Sequence, residues 1–238
     1  MLHKTSARFL LLIMGNYYEG TTPLLISVDC IVFGFDEGKL KLLIGKRKMN
    51  PGKGEWSLYG GFVQMNESLE QAATRTLCSL TGLDNIYMTQ VGAYGAVDRD
   101  PGERVISIAY CSLINVSDYN EAQQNEYGVE WVSIDELPHL YSDHNKMVTE
   151  AIEKLRRHLS TEPLCFNLLP EHFTLTQLQK VYEAILGEEI DKRNFRKRIK
   201  TMECIQKTKY VDKLSSKRGA ALYRFSESRF QKEEKFKL

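Results

Sequence analysis

Residues 56–83 read WSLYGGFVQMNESLEQAATRTLCSLTGL. Trp56 to Val63 is a strand-like run interrupted by Gly60 and Gly61. Ser68 to Leu80 then places Leu69, Ala72, Ala73, Thr76, Leu77 and Leu80 close to the i, i+3, i+4, i+7 spacing of an amphipathic helix. Gly82 closes that helix, because a residue without a Cβ enters the left-handed cap conformation at little cost. Gly61, Glu67, Arg75, Gly82 and Leu83 fall in the order G-x5-E-x7-R-x6-G-apolar.

Before this segment, Pro23 to Phe35 is rich in β-branched and aromatic residues, and Asp36-Glu37-Gly38 turns the chain into Lys39 to Arg47, which predicts a hairpin. After it, Tyr87 to Ala96, Val105 to Val116 and Val129 to Ile134 read as strands, and Met147 to Leu159 as an amphipathic helix. A mixed sheet interleaved with helices predicts an α/β layered domain over residues 15–160. Residues 161–170, within a stretch holding two prolines, read as a linker. Beyond them, Thr174 and Gln177 form a capping box for a helix from Leu175 to Leu186 that stops at Gly187. Asp191 caps a second helix to about Met202, with Phe195, Ile199 and Met202 as its apolar seam. Two β-like segments, Ile205 to Leu214 and Ala220 to Phe225, are joined by residues 215–219. Helix, turn, helix and basic hairpin is the order of a winged helix-turn-helix, expected over residues 171–238.

The 238 residues suffice for one large or two smaller domains, and no apolar run reaches the length a membrane helix needs. Five cysteines without a C-x-x-C pair argue against a disulfide framework or zinc knuckle and for a reducing, cytoplasmic setting. The apolar run Phe9 to Met14 is short for a secretory segment, so residues 1–14 read as a start-site extension ending at Met14. The net charge of +1 conceals an asymmetry. Residues 1–160 hold 15 basic and 20 acidic side chains, a net of −5, whereas residues 161–238 hold 17 and 11, a net of +6. Residues 191–218 alone carry 11 basic and 3 acidic groups, the footprint of a nucleic-acid surface or, more plainly, of a solvated basic helix.

The spacing at Gly61, Glu67, Arg75, Gly82 and Leu83 closely resembles the Nudix box, and the resemblance runs from Lys46 and Arg47 through Asp98 to Pro101 and on to Pro138. It implies a Nudix α/β/α sandwich. Hydrolytic members continue the box with glutamates that bind magnesium, at the positions of Thr76, Ser79 and Leu80 here. Hydroxyls and an alkyl group are not hard anionic ligands, so no catalytic or metal site and no cofactor is expected. A degenerate Nudix domain followed by a basic winged helix resembles the Nudix-related transcription regulators, most closely their arabinose-responsive branch. That resemblance implies a homodimer on double-stranded operator DNA, a repressor of sugar utilisation, and a small effector, L-arabinose or an ADP-ribose-like nucleotide. An active hydrolase, with Glu67, Glu70 and distant carboxylates such as Glu126 or Glu130 as ligands, and an RNA-binding Nudix adaptor are the alternatives.

A helical wheel over Asp191 to Met202 places Arg193, Lys197 and Lys200 opposite the apolar seam, with Asn194 and Arg196 on the flanks. Lys192, Arg193, Asn194 and Arg196 are expected nearest the bases, and Lys197 and Lys200 nearest phosphates. Lys217 and Arg218, at the hairpin tip, suit a wing contact. Asp29 lies in an apolar strand, where a carboxylate needs a partner or a ligand. With Lys46, Asp98 and Arg99 at strand ends it forms the expected effector site, unless buried backbone or Lys46 satisfies it. His139 and His144 read as surface residues.

Overall fold

The computed structural model describes residues 20–84, 86–119, 126–159, 162–213 and 219–231. The expected start-site extension lies outside them, as do Lys217 and Arg218, the residues expected to make a wing contact.

Strand β1 (Leu25–Asp36) organises the first domain. Val28 and Cys30 to Phe33 are fully buried, as expected of a central strand covered on both faces. Glu37 and Gly38 both take positive φ, 51° and 82°, and turn the chain into β2 (Lys39–Lys46). Paired turn residues of this kind match the twist of the strands they join. β1 also pairs antiparallel with β4 (Tyr59–Phe62) and parallel with β6 (Val105–Asn115) along eleven registered residues, Leu25 to Phe35. With β3 (Trp56–Ser57), β5 (Thr89–Tyr94) and β7 (Val129–Ser133), these make a mixed sheet of seven strands among the described residues.

Alternate residues of β1 and β2 supply opposite faces. Val28, Cys30, Val32 and Leu43 pack with Ala72, Ala73 and Leu77 of α1 (Leu69–Thr81). Ile31, Phe33, Leu42 and Ile44 share a cluster with Met147, Val148, Ala151 and Leu155 of α2 (His144–His158). The result is the Nudix α/β/α sandwich.

The same apolar cluster continues into the C-terminal domain through Leu168, Phe173, Leu178, Val181, Phe195 and Ile199. This changes the picture of residues 161–170 as a simple linker. Leu164–Leu168 form a 3-10 turn with Cys165, Phe166 and Leu168 buried, and the Phe166 ring stacks on Phe225 at 4.4 Å and 13°. The apolar run LCFNLL has more surface to hide than a solvated connector could leave exposed.

Beyond the connector come β8 (Phe173–Thr174), α3 (Leu175–Leu186), α4 (Lys192–Ile199), β9 (Ile205–Asp212), β10 (Ala220–Phe225) and a short α5 (Glu227–Phe230). Among the described residues β8, β10 and β9 form a three-stranded sheet, completing a winged helix. The capping box is present: Gln177 N donates to Thr174 Oγ1 at 3.1 Å, and Thr174 N to Gln177 Oε1 at 2.8 Å. The second helix ends at Ile199, short of the expected Met202. Like charges stand four apart at Lys192/Arg196, Arg193/Lys197 and Arg196/Lys200, a pattern that weakens a helix. Met202 is buried all the same.

Among the described residues the five cysteines are free thiols, and no helix is long and apolar enough to cross a membrane. Because Phe166 ties the connector to both β10 and β8, Phe166→Ala is expected to cost about 3–5 kcal/mol in urea unfolding followed by circular dichroism. A loss below about 1 kcal/mol would show that the connector is not part of the core.

Candidate functional site

The Nudix segment is held by an ion pair. Arg75 reaches Glu67 through Nε (2.8 Å to Oε2) and Nη2 (2.6 Å to Oε1), and Nη2 also donates to the Phe62 carbonyl at 3.0 Å. Glu67 Oε1 accepts the Gln64 amide at 2.8 Å, so one carboxylate fixes both the loop and the helix. Hydrogen bonding from Arg75 pulls the Glu67 carboxyl down to about 2. Glu70 accepts from Ser68 Oγ at 2.9 Å and from Tyr110 OH at 3.2 Å.

At the positions where hydrolytic members carry glutamates, Thr76 is buried beneath Gly61. A Cβ on that glycine would stand 2.7 Å from Thr76 Oγ1. Ser79 Oγ bonds back to the Thr76 carbonyl at 3.1 Å, and Leu80 is partly exposed. The donor set therefore does not fit a cluster of divalent ions. Two carboxylates remain, one of them engaged by Arg75. Glu126 and Glu130 are exposed, and among the described residues no three His, Cys, Asp or Glu side chains are grouped as metal ligands.

Under the same strands lies a buried polar cluster. Ser107 Oγ on β6 donates to Asp29 Oδ2 at 2.5 Å. Arg99 Nη2 stands 3.7 Å from Asp29 and donates to Asp143 Oδ1 at 2.8 Å, while its Nε donates to Asp143 Oδ2 at 3.1 Å. His144 Nε2 is 3.6 Å from Asp29 Oδ1, and its Nδ1 accepts the Leu58 amide at 3.2 Å. Asp29 fills the space beside Gly60, where a Cβ would meet Oδ1 at 2.2 Å.

Asp29 and Arg99 of the expected effector residues thus come together. Lys46 does not join them; it is exposed, with Nζ 4.7 Å from the Trp56 ring centre. Asp98 is exposed on the neighbouring loop. His144 corrects its expected surface placement, being 3% exposed. The apolar stripe of α2 extends one turn earlier than Met147, and spacing of i, i+3, i+4 and i+7 over His144, Met147, Val148 and Ala151 was the available signal. His139 is exposed. Ser107, Asp143 and the Arg47–Tyr141 contact, 4.0 Å from guanidinium to ring centre, carried no sequence signal.

The second surface is α4. Phe195 and Ile199 face the core, while Lys192, Arg193, Asn194, Lys197 and Lys200 are exposed. Asp191 Oδ1 caps the helix by accepting the Asn194 amide at 2.7 Å. Arg196 departs from the base-facing expectation: it is half-buried, and Nη2 donates to Thr176 Oγ1 of α3 at 3.2 Å. Arg198, outside the expected set, is exposed on the same helix.

Residues 23–151 match the NUDIX domain family and residues 165–225 the NrtR DNA-binding winged helix domain. The chain belongs to the NrtR family. An ADPR-responsive transcriptional repressor of Acinetobacter baylyi is 35% identical over 218 residues, covering 90% of this chain and 87% of that protein. The structure of Shewanella oneidensis NrtR complexed with a 27mer DNA superposes with a TM-score of 0.77 at 27% identity, covering 87% of this chain and 95% of that one. An ADP-ribose pyrophosphatase of Methanocaldococcus jannaschii is 36% identical over 125 residues, 52% of this chain and 71% of that protein. These relatives correct the arabinose expectation, since the near full-length one is named for ADP-ribose. The NrtR winged helix also replaces the RNA-adaptor alternative with a DNA-binding domain.

Burial lowers the affinity of the NrtR-family His144 imidazole for protons, and Asp29 and Asp143 offset this only in part. The unfolded side chain takes up a proton near pH 6.5, whereas the folded one resists it. Stability is therefore fully present above that pH and falls as the pH drops through it. The fall in Tm between pH 7.5 and 6 is expected to be smaller for His144→Gln than for the wild type in matched thermal melts. Equal falls would show that His144 titrates alike in both states.

Proposed function

We propose that this chain is an ADP-ribose-responsive transcriptional repressor that binds operator DNA as a homodimer through α4, with a Nudix domain that binds its effector and does not hydrolyse it. The observation that carries this reading is the pairing, in one continuous core, of an exposed basic helix with a Nudix fold that has Thr76, Ser79 and Leu80 in place of metal-binding glutamates.

On the DNA side, Arg193 and Asn194 stand in the first turn of α4, where their planar groups suit guanine and adenine edges. Lys192 stands beside them on the base side, and Lys197 and Lys200 flank them as phosphate contacts. Arg196 braces α4 against α3. Lys217 and Arg218 are retained as wing contacts. On the effector side, a diphosphate carries its own negative charge and needs cations if no metal shields it. Lys46, an exposed cation at the end of β2, is proposed to meet the diphosphate, and exposed Asp98 to accept ribose hydroxyls. Asp29 and Arg99 hold the floor beneath. Binding the DNA-free arrangement more tightly would let the effector release the operator.

Arg193→Ala and Asn194→Ala are each expected to weaken binding to a duplex selected by the wild-type chain from a random-sequence pool by about 1–3 kcal/mol, roughly 5- to 150-fold in Kd. Lys197→Ala should weaken selected and scrambled duplexes alike and reduce the salt dependence. Unchanged affinity in Arg193→Ala would remove α4 as the reading helix. In the same preparation ADP-ribose is expected to raise Tm, and L-arabinose to leave it unchanged; the reverse pattern would contradict the proposed effector.

A further inference from the structure

The two surfaces are joined by one helix with an arginine contact at each end. At the N-terminus of α2, Asp143 is the N-cap residue yet makes no side-chain cap bond. Its carboxylate instead takes the Arg99 guanidinium at 2.8 and 3.1 Å, and Ser142 Oγ donates to the Arg99 carbonyl. Arg99 outweighs the effect of burial on Asp143 and holds that carboxyl below the usual range. The side chain of Arg99 is 5% exposed and faces Asp29, which fills the space beside Gly60 of the Nudix strand. The first turn of α2 is thus fastened to the cleft floor and its loop rather than to itself.

At the other end, a helix of 15 residues and about 22 Å away, Arg156 Nε donates to the Ile185 carbonyl at 2.7 Å. Its Nη2 lies 3.2 Å from where a Cβ on Gly187 would stand. Gly187 is the C-cap of α3 and Asp191 the N-cap of α4, so this guanidinium rests on the turn between the two DNA-binding helices. That turn is braced from within. Glu183 Oε1 accepts the Ile190 amide at 3.1 Å and Gln179 Nε2 at 2.8 Å, and Gln179 Nε2 also reaches the Ile190 carbonyl at 3.1 Å. These bonds tie the last turns of α3 to Ile190, the residue before the Asp191 cap of α4. Alongside, a cavity of about 170 Å³ open to the surface is lined by Ala151 and Leu155 of α2 and by Val91, Cys111 and Leu113 of the sheet.

We propose that α2 is the coupling element of this protein, with Arg99 and Asp143 linking cleft occupancy to its N-terminus and Arg156 passing the displacement to the turn that carries α4. This rests on the reading of the chain as an ADP-ribose-responsive repressor. A diphosphate at the cleft floor competes with Asp143 for the Arg99 guanidinium, and loosening that pair frees the first turn of α2. Arg99 is the proposed ligand contact, and Asp143 and Arg156 are positioning residues.

The test measures operator Kd by fluorescence anisotropy with and without saturating ADP-ribose, on the full chain, together with the Kd for ADP-ribose alone. The wild type is expected to show a ratio within the 5- to 150-fold span typical of coupled sites. Arg156→Gln should bind both ligands with affinities within about threefold of wild type while the ratio falls below about twofold. Asp143→Asn, which keeps the side-chain shape at the opposite end of the helix but removes the competitor for Arg99, should tighten ADP-ribose binding by more than about threefold while the ratio again falls below about twofold. Lys146→Ala, on the exposed face of α2, should keep the wild-type ratio. Unchanged ratios in both clasp variants would overturn the coupling role and leave the repressor reading standing, as would variants that lose operator binding outright. A wild-type ratio of one would overturn the repressor reading and the coupling role with it.

Discussion

Strand β1 is buried on both faces, and that constraint shapes the rest of the molecule. A strand running Val-Asp-Cys-Ile-Val-Phe from Val28 to Phe33 leaves apolar side chains on both sides of the sheet, so each side needs its own helical layer. α1 covers one and α2 the other. The α2 layer extends through Leu155, Leu168 and Phe173 into the winged helix, which makes the DNA-binding domain part of the same core as the Nudix domain. At roughly 25 cal/mol per Å² of apolar surface buried, such a shared seam holds the two domains far more firmly than a solvated linker would.

The polar groups inside that frame explain how the Nudix fold holds with Thr76, Ser79 and Leu80 in its helix. Glu67 and Arg75 hold the loop before α1 by hydrogen bonds that need no ion. Asp29, Ser107, Arg99, Asp143 and His144 satisfy one another beneath Gly60, so the costly burial of a carboxylate is offset by a guanidinium and a hydroxyl. Neither arrangement depends on Thr76, Ser79 or Leu80. The architecture therefore does not require carboxylates at those positions, and one fold can carry different chemistries.

Much of this was legible in the sequence where the signal is local. The Asp36-Glu37-Gly38 turn, the Glu67 to Arg75 spacing, the Thr174/Gln177 box and the apolar seam of Phe195 and Ile199 each rest on residues a few positions apart. What escaped depends on contacts across long stretches of chain. Asp29 meets Ser107 at a separation of 78 residues, Arg99 meets Asp143 at 44 and Leu58 meets His144 at 86. Arg196 looked free on a helical wheel because a wheel does not contain α3. The connector's apolar residues lie between two prolines, and the prolines alone suggest a solvated linker. A diphosphate and a sugar can use the same hydroxyl and cation partners, so residue types alone do not separate an ADP-ribose-like effector from a pentose.

Whether the cleft binds without chemistry is decided most directly by titrating ADP-ribose into the operator complex in EDTA, following DNA release by anisotropy and recovering the nucleotide afterwards. Release of the duplex without divalent metal, with ADP-ribose recovered intact, is the expected result, because the contacts proposed for the diphosphate are Lys46 and Arg99 rather than magnesium. Release that occurs only after magnesium is added, with AMP accumulating as it proceeds, would contradict it.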